Sequence, residues 1–195
     1  MPEPIVLAVS VDRFYLKEVL RALVHSIVYH RSFSMTRPCQ VDIDDLDVTY
    51  VKLDDPQVHV NIEDKVSAFA RAVDSASASA SASGALKGQI DIMFFQKRAR
   101  KYWFTRTEEE VCWEQWTLSV TVGTARSERE QIEARRALEP EIEAHLMRIS
   151  LRTNEHKDHV PPITNNDTYP FPFQISVSSH SDSTWSGLFK AYLPS

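Results

Sequence analysis

The chain has 195 residues, of which 43% are hydrophobic and 25% charged, and its formal net charge is −5. That is the balance of one ordinary globular domain able to bury a core of its own. It excludes a general attraction to nucleic acid, which net negative charge opposes, and no apolar run approaches the roughly 20 residues of a membrane span. Met1–Val11 show neither the basic start nor the small-residue cleavage site of a secretory signal, so a soluble, cytoplasmic protein is expected.

Ile5, Leu7, Val9 and Val11 alternate on one face, the period of a strand. From Phe14 to His30 the spacing changes. Leu16, Val19, Leu20, Leu23, Val24 and Ile27 recur as on a helix, with Asp12 placed to cap its start. A loop through Pro38 leads to a second strand over Asp47–Leu53. Asp54-Asp55-Pro56 opens the next helix, with acid at the positive end of the dipole and proline at the first position, where its missing N–H is tolerated. The apolar stripe of that helix is Ile62, Val66, Phe69, Ala70 and Val73. Ser75–Ser83 then alternates serine with alanine up to Gly84. With nothing large to bury, residues 75–84 read as a flexible linker, natural or engineered.

Leu86–Gln96 reads as a strand with Ile90, Ile92 and Phe94 on one face, and Trp116, Leu118, Val120 and Val122 mark another. Lys97–Cys112 between them is too long for a tight hairpin turn and is expected to be an exposed loop. Ser127 and Glu130 form a capping box at the head of a helix reaching to about Leu151. Leu138, Ile142, Leu146 and Ile149 are its buried stripe. Pro140 predicts a kink or break there, because it has no N–H to give the carbonyl of Arg136. After Pro161-Pro162, Phe171, Phe173, Ile175 and Val177 alternate, and Pro172 assigns that strand to a sheet edge. Leu188, Phe189, Tyr192 and Leu193 are apolar enough to dock on the body. Strands that pair as neighbours, with the helices on one face, predict an α+β fold.

Chemistry-bearing residues are sparse. Gly84, Gly88, Gly123 and Gly187 are too dispersed for a dinucleotide fingerprint or a phosphate loop. Cys39 and Cys112 make neither a disulfide framework nor a zinc site on their own, and Cys112 beside Trp113 reads as an inert thiol. His25 and His30 do not share a helix face, and His30 suits the role of a helix-end cation. His156 and His159 have a metal-pair spacing but sit in a polar stretch that reads as a solvated loop. Asp42, Asp44, Asp45 and Asp47 lack the glycine and closing glutamate of a calcium loop. Asn166-Asp167-Thr168 matches a glycosylation sequon, accidental in a chain without a secretory signal. No catalytic constellation, metal site or cofactor is expected, and the chain does not read as an enzyme.

One segment stands apart. In Lys97-Arg98-Ala99-Arg100-Lys101-Tyr102-Trp103-Phe104-Thr105-Arg106, three consecutive aromatic residues lie among five cations. Burying the three rings would drag the neighbouring charges in with them. An exposed aromatic cluster marks a binding site. Protein docking is the favoured reading, ahead of insertion into an anionic membrane, a purely structural role, and stacking on single-stranded nucleic acid.

Leu23-Val24-His25-Ser26-Ile27-Val28-Tyr29-His30-Arg31-Ser32, Phe94-Phe95-Gln96-Lys97, and Trp113-Glu114-Gln115-Trp116-Thr117 after the aromatic loop resemble the autophagy-related protein 101 family, HORMA-domain proteins of the autophagy-initiation complex. The resemblance implies a single HORMA domain over residues 1–195: a mainly antiparallel sheet against three helices, with a core of 1–158 and a folded safety-belt segment of 159–195. It also implies a scaffold that pairs with and stabilises the HORMA domain of autophagy-related protein 13. That pair serves the initiation kinase complex at the preautophagosomal structure and recruits downstream autophagy factors. The family's exposed finger is a tryptophan and a phenylalanine flanking one residue. Here the phenylalanine falls on Phe104, Tyr102 holds the tryptophan position and Trp103 lies between, so these three are the expected partner-binding residues. By analogy with other HORMA dimers, the first and last long helices are expected to contribute the dimer surface.

Overall fold

Leu7, Val9 and Val11 point inward from β1 (Ile5–Asp12), the first element of a computed structural model that describes residues 2–79, 85–101, 106–164 and 166–179. Three helices follow from the apolar stripes: α1 (Leu16–Ser32), α2 (Pro56–Ser79) and α3 (Glu128–Glu155). The remaining strands are β2 (Pro38–Asp42), β3 (Thr49–Leu53), β4 (Leu86–Lys101), β5 (Arg106–Gly123) and β6 (Phe173–Ser179). Four of them form a sheet in the order β1-β5-β4-β6, in which only β1 runs parallel to its neighbour; β2 and β3 make a separate antiparallel ribbon. This is the α+β arrangement, a mainly antiparallel sheet packed against three helices, that the sequence predicts.

The core lies between the sheet and the helices. Ile90, Ile92 and Phe94 of β4 and Trp116, Leu118 and Val120 of β5 are all but inaccessible to water. Each such side chain contributes about 1.5–3 kcal/mol relative to exposure. α1 packs against α2, α3 and β3, so it is covered on nearly every side. The segment Ala22–Val28 is buried without interruption, which explains why its sequence is apolar well beyond one stripe. Gly88 of β4 sits under Phe69 of α2, where a Cβ would lie 2.6 Å from the ring, so glycine is what lets this helix approach the sheet.

Several expectations need correcting. Asp12 does not cap α1. Its carboxylate accepts from Phe14 N at 2.9 Å and from Ala125 N at 2.6 Å, tying the two loops at that end of the sheet together. Asp55 does cap α2, accepting from Gln57 N and Val58 N. α2 runs on through Ser75–Ser79, the first half of the expected linker, because alanine is the best helix former; the Ser75 hydroxyl is satisfied within the helix, donating to Arg71 O at 2.9 Å. The rest, residues 80–84, lies outside the described residues. α3 continues through Pro140 without a break, since Pro140 and Arg136 are both exposed and water can satisfy the orphaned carbonyl. Ser127 Oγ accepts from Glu130 N as expected, while Glu130 reaches back to Arg126 N instead of Ser127 N. Pro172 immediately precedes β6, whose other side no described strand pairs, in keeping with the edge placement.

His25 is buried between Tyr50 and His59, with ring centroids 6.1 and 5.6 Å away. Burial, then the neighbouring His59, Lys52 and Arg21, push its pKa down to about 3, against the smaller opposite pull of Glu63. His30 and His145 are shifted the same way, chiefly by burial, so His30 is held toward its neutral form and is not the expected helix-end cation. A lowered imidazole pKa means the unfolded chain binds protons that the folded chain refuses. Stability should therefore be full above about pH 6.5 and fall as the pH drops toward 3. The slope should approach about 1.4 kcal/mol per pH unit for each such histidine. Urea unfolding at pH 7, 6 and 5 should show this loss, and His25→Phe should flatten it by one proton's worth; parallel profiles would clear His25 of the effect.

Candidate partner-binding site

β4 and β5 pair from Leu86↔Val122 out to Lys101↔Arg106. Their neighbours stop far earlier. β1 covers β5 only over Trp116–Gly123, and β6 covers β4 only over Gly88–Phe94. Beyond Phe94 the two strands continue alone as a ribbon, residues 95–101 and 106–112, reaching roughly 20 Å past the sheet. The expected loop over Lys97–Cys112 is thus mostly strand. Lys97 stands opposite Glu110 and Arg98 opposite Glu109, and cross-strand pairs of opposite charge favour the ribbon by about 0.2–1 kcal/mol each. That basic run facing Glu108-Glu109-Glu110 was the available signal for continued pairing. Tyr102, Trp103 and Phe104 fall in the four-residue connection, 102–105, which lies outside the described residues.

At the root of this arm the ladder shifts register. Phe94 faces Glu114 but Phe95 faces Cys112, leaving Trp113 as the extra residue of a β-bulge. The amide of Phe95 is met by Pro172 O at 2.9 Å. Trp113 wedges among Phe94, Phe171 and His159 at centroid distances of 6.0, 4.9 and 5.7 Å, and the Arg31 guanidinium carbon lies 6.0 Å from its ring centre.

Glu114 comes next, on the core side of β5, where a carboxylate survives only with partners. Arg31 Nε donates to its Oε1 at 2.8 Å, Trp116 Nε1 donates to the same oxygen, and His159 Nε2 donates to Oε2 at 2.6 Å. The remaining guanidinium groups donate to Thr153 O at 3.1 Å and His156 O at 3.0 Å. Those carbonyls close α3, and the negative end of its dipole favours the cation. Side-chain exposure is 1% for Arg31 and 2% for Glu114, so no solvent screens the pair. Four parts of the chain meet at this buried ion pair: the end of α1, β5 just past its bulge, the end of α3 through its carbonyls on Arg31, and the segment that follows it. His159, read from the sequence as a loop residue, is therefore part of the site; nothing in its local sequence signals a partner on β5.

Other candidates settle quietly. Cys112 is half-buried, burial raises its thiol pKa, and its Sγ contacts Glu114 O at 3.5 Å. Among the described residues no group of His, Cys, Asp and Glu could hold a metal ion, and no helix is long and apolar enough to cross a membrane. Of α1, only Lys17 is exposed, so that helix has little surface to offer a partner. α3 is the opposite case, with Ile132, Met147 and Leu151 exposed by 47, 61 and 50%. Its Glu141 accepts from Ser10 N at 3.3 Å, and between α3 and β1 runs a groove of about 590 Å³ lined by Pro4, Val6, Met147, Arg148 and Leu151.

Glu114→Ala strands the Arg31 charge in the interior and should cost about 3–5 kcal/mol in a denaturant titration. Glu133→Ala, which removes an exposed ion pair to Arg129, should cost under about 1 kcal/mol. Equal losses would mean that the buried pair is no anchor.

The sequence pattern of the family described as autophagy-related protein 101 matches residues 8–167. Autophagy-related protein 101 of Arabidopsis thaliana is 31% identical over 208 aligned positions, covering 95% of this chain and 92% of the relative. The Schizosaccharomyces pombe protein of that name is 26% identical, covering 97% and 94%, and the Homo sapiens one is 24% identical, covering 88% and 86%. The match spans both the arm and its root, and with it this chain belongs to the autophagy-related protein 101 family.

Proposed function

We propose that this chain is a non-enzymatic adaptor of autophagosome formation. Family membership supports the role in autophagy. The observation that supports the finer reading is the two-stranded arm, a ribbon paired out to Lys101 and Arg106 whose connecting sequence contains Tyr102-Trp103-Phe104. Rigid aromatic side chains lose little rotamer entropy on binding, so a tip of this composition suits docking into a protein pocket. In this reading the tip recruits downstream autophagy factors. A separate surface pairs with the HORMA domain of autophagy-related protein 13 within the initiation kinase complex, at the preautophagosomal structure. α3 is the better provider of that second surface, because its apolar residues are exposed while α1 is enclosed. Residues 159–195 act as the safety-belt segment, of which Phe173–Ser179 pairs with β4.

Three measurements test this. Mixed with the HORMA domain of autophagy-related protein 13, the chain should elute as a 1:1 complex in size-exclusion chromatography with light scattering; a chain that stays monomeric beside a folded partner would overturn the scaffold reading. Trp103→Ala with Phe104→Ala should leave that complex intact and lower autophagic flux several-fold. Should the double variant instead abolish flotation with anionic liposomes that the parent chain binds, the arm is a membrane contact and the protein-docking reading fails.

A further inference from the structure

A two-stranded ribbon is marginally stable on its own, and a bulge at its base adds freedom of bend and twist. The arm has both properties, and the bulge at Trp113 falls where the sheet ends, one residue beyond Glu114, which faces the last β4 residue paired by β6, and three residues beyond the first residue of β5 paired by β1. On the β4 side the Phe95 amide is still held by Pro172 O at 2.9 Å, whereas β5 at this joint has β4 as its ladder partner and β1 begins only at Trp116. Further out, Lys97 meets Asp167 at 3.8 Å, with side chains 40 and 53% exposed, a contact of little strength. What holds β5 at the joint is side-chain chemistry: the Trp113 wedge and the buried carboxylate of Glu114, fixed from three directions by α1, by Trp116 and by His159.

We propose that Glu114, with Arg31 and His159, sets the direction in which the β4–β5 arm leaves the body. These are positioning residues for the tip. Glu114 fixes the strand just after the bulge, and Arg31 ties that carboxylate to the carbonyls of Thr153 and His156. His159 closes the node from the segment after α3 and also packs on the bulged Trp113. Removing His159 leaves the Arg31–Glu114 pair in place, so it loosens the joint without emptying the core. The proposal concerns the same arm as the adaptor reading and gives that reading its geometry.

The test is a distance distribution by pulsed electron spin resonance on the full chain, with spin labels at Glu110→Cys on the arm and Glu143→Cys on α3, in a Cys39→Ser, Cys112→Ser background. The parent should give one narrow distance. His159→Ala and Glu114→Gln should broaden it about twofold, while a control pair on Asp64→Cys of α2 and Glu143→Cys stays narrow. His159→Gln, which keeps a donor for the carboxylate, should restore much of the narrow distribution. If Glu114→Gln does not fold, the His159→Ala and His159→Gln pair decides alone. Widths in the His159 variants equal to the parent would overturn the proposal, as would equal broadening of the control pair. The measurement needs no binding partner, so its failure is distinct from failure of the recruitment role, which the Trp103 and Phe104 substitutions read.

Discussion

Arg31 and Glu114 meet at 2.8 Å in a place that water scarcely reaches, 83 positions apart in the chain. Neither charge would be stable there alone, since an unpartnered ion in the interior costs several kcal/mol. The fold therefore forms with both in place or not at all in this region. Because the guanidinium also fills the last carbonyls of α3, the same pair decides where α3 ends relative to α1. The contact is a constraint more than a source of net stability. A well-packed apolar pair could be as stable, but it would not dictate which ends meet.

Around that point the polar contacts sort by exposure. Arg21 grips Glu63 through two parallel hydrogen bonds of 2.8 and 3.0 Å, joining α1 to α2, and holds the Glu63 carboxyl below the usual range. Tyr169 bonds to Asp55, fastening the C-terminal segment to the head of α2 and lowering that carboxyl in turn. Arg129 with Glu133 and Arg135 with Glu139 decorate one helix in solvent and hold nothing together. Long-range pairs that lie partly out of water organise the fold; neighbours along a wet helix do not.

The periodic elements were legible because their patterns report burial directly. Leu7, Val9 and Val11, or Trp116, Leu118 and Val120, need only one buried face to be read. The arm was missed because β4 and β5 lose that alternation where they leave the core, and there the signal passes from hydrophobicity to opposite charges on facing strands. The linker was mistaken in its first half because alternating serine and alanine carries no apolar stripe, although alanine favours helix on any face. The node lay beyond the sequence altogether. Arg31, Glu114 and His159 belong to three separate elements, and only the packed chain brings them within hydrogen-bonding distance. The identity and chemistry of Tyr102, Trp103 and Phe104 are read from the sequence, and the ribbon is described as far as Lys101 and Arg106.

The parallel pairing of β1 with β5 carries a consequence in time. Ile5 lies beside Trp116, so the first strand made must await a partner that emerges about a hundred residues later. At ribosomal speeds of roughly 5–20 residues per second, that is a wait on the order of ten seconds. Throughout it, β1 shows an apolar face and unpaired edges, and α1, apolar on nearly every side, has no sheet to rest on. The nascent chain is thus most prone to aggregation in its first half, and its folding speed is set by when β5 arrives rather than by how fast the helices form.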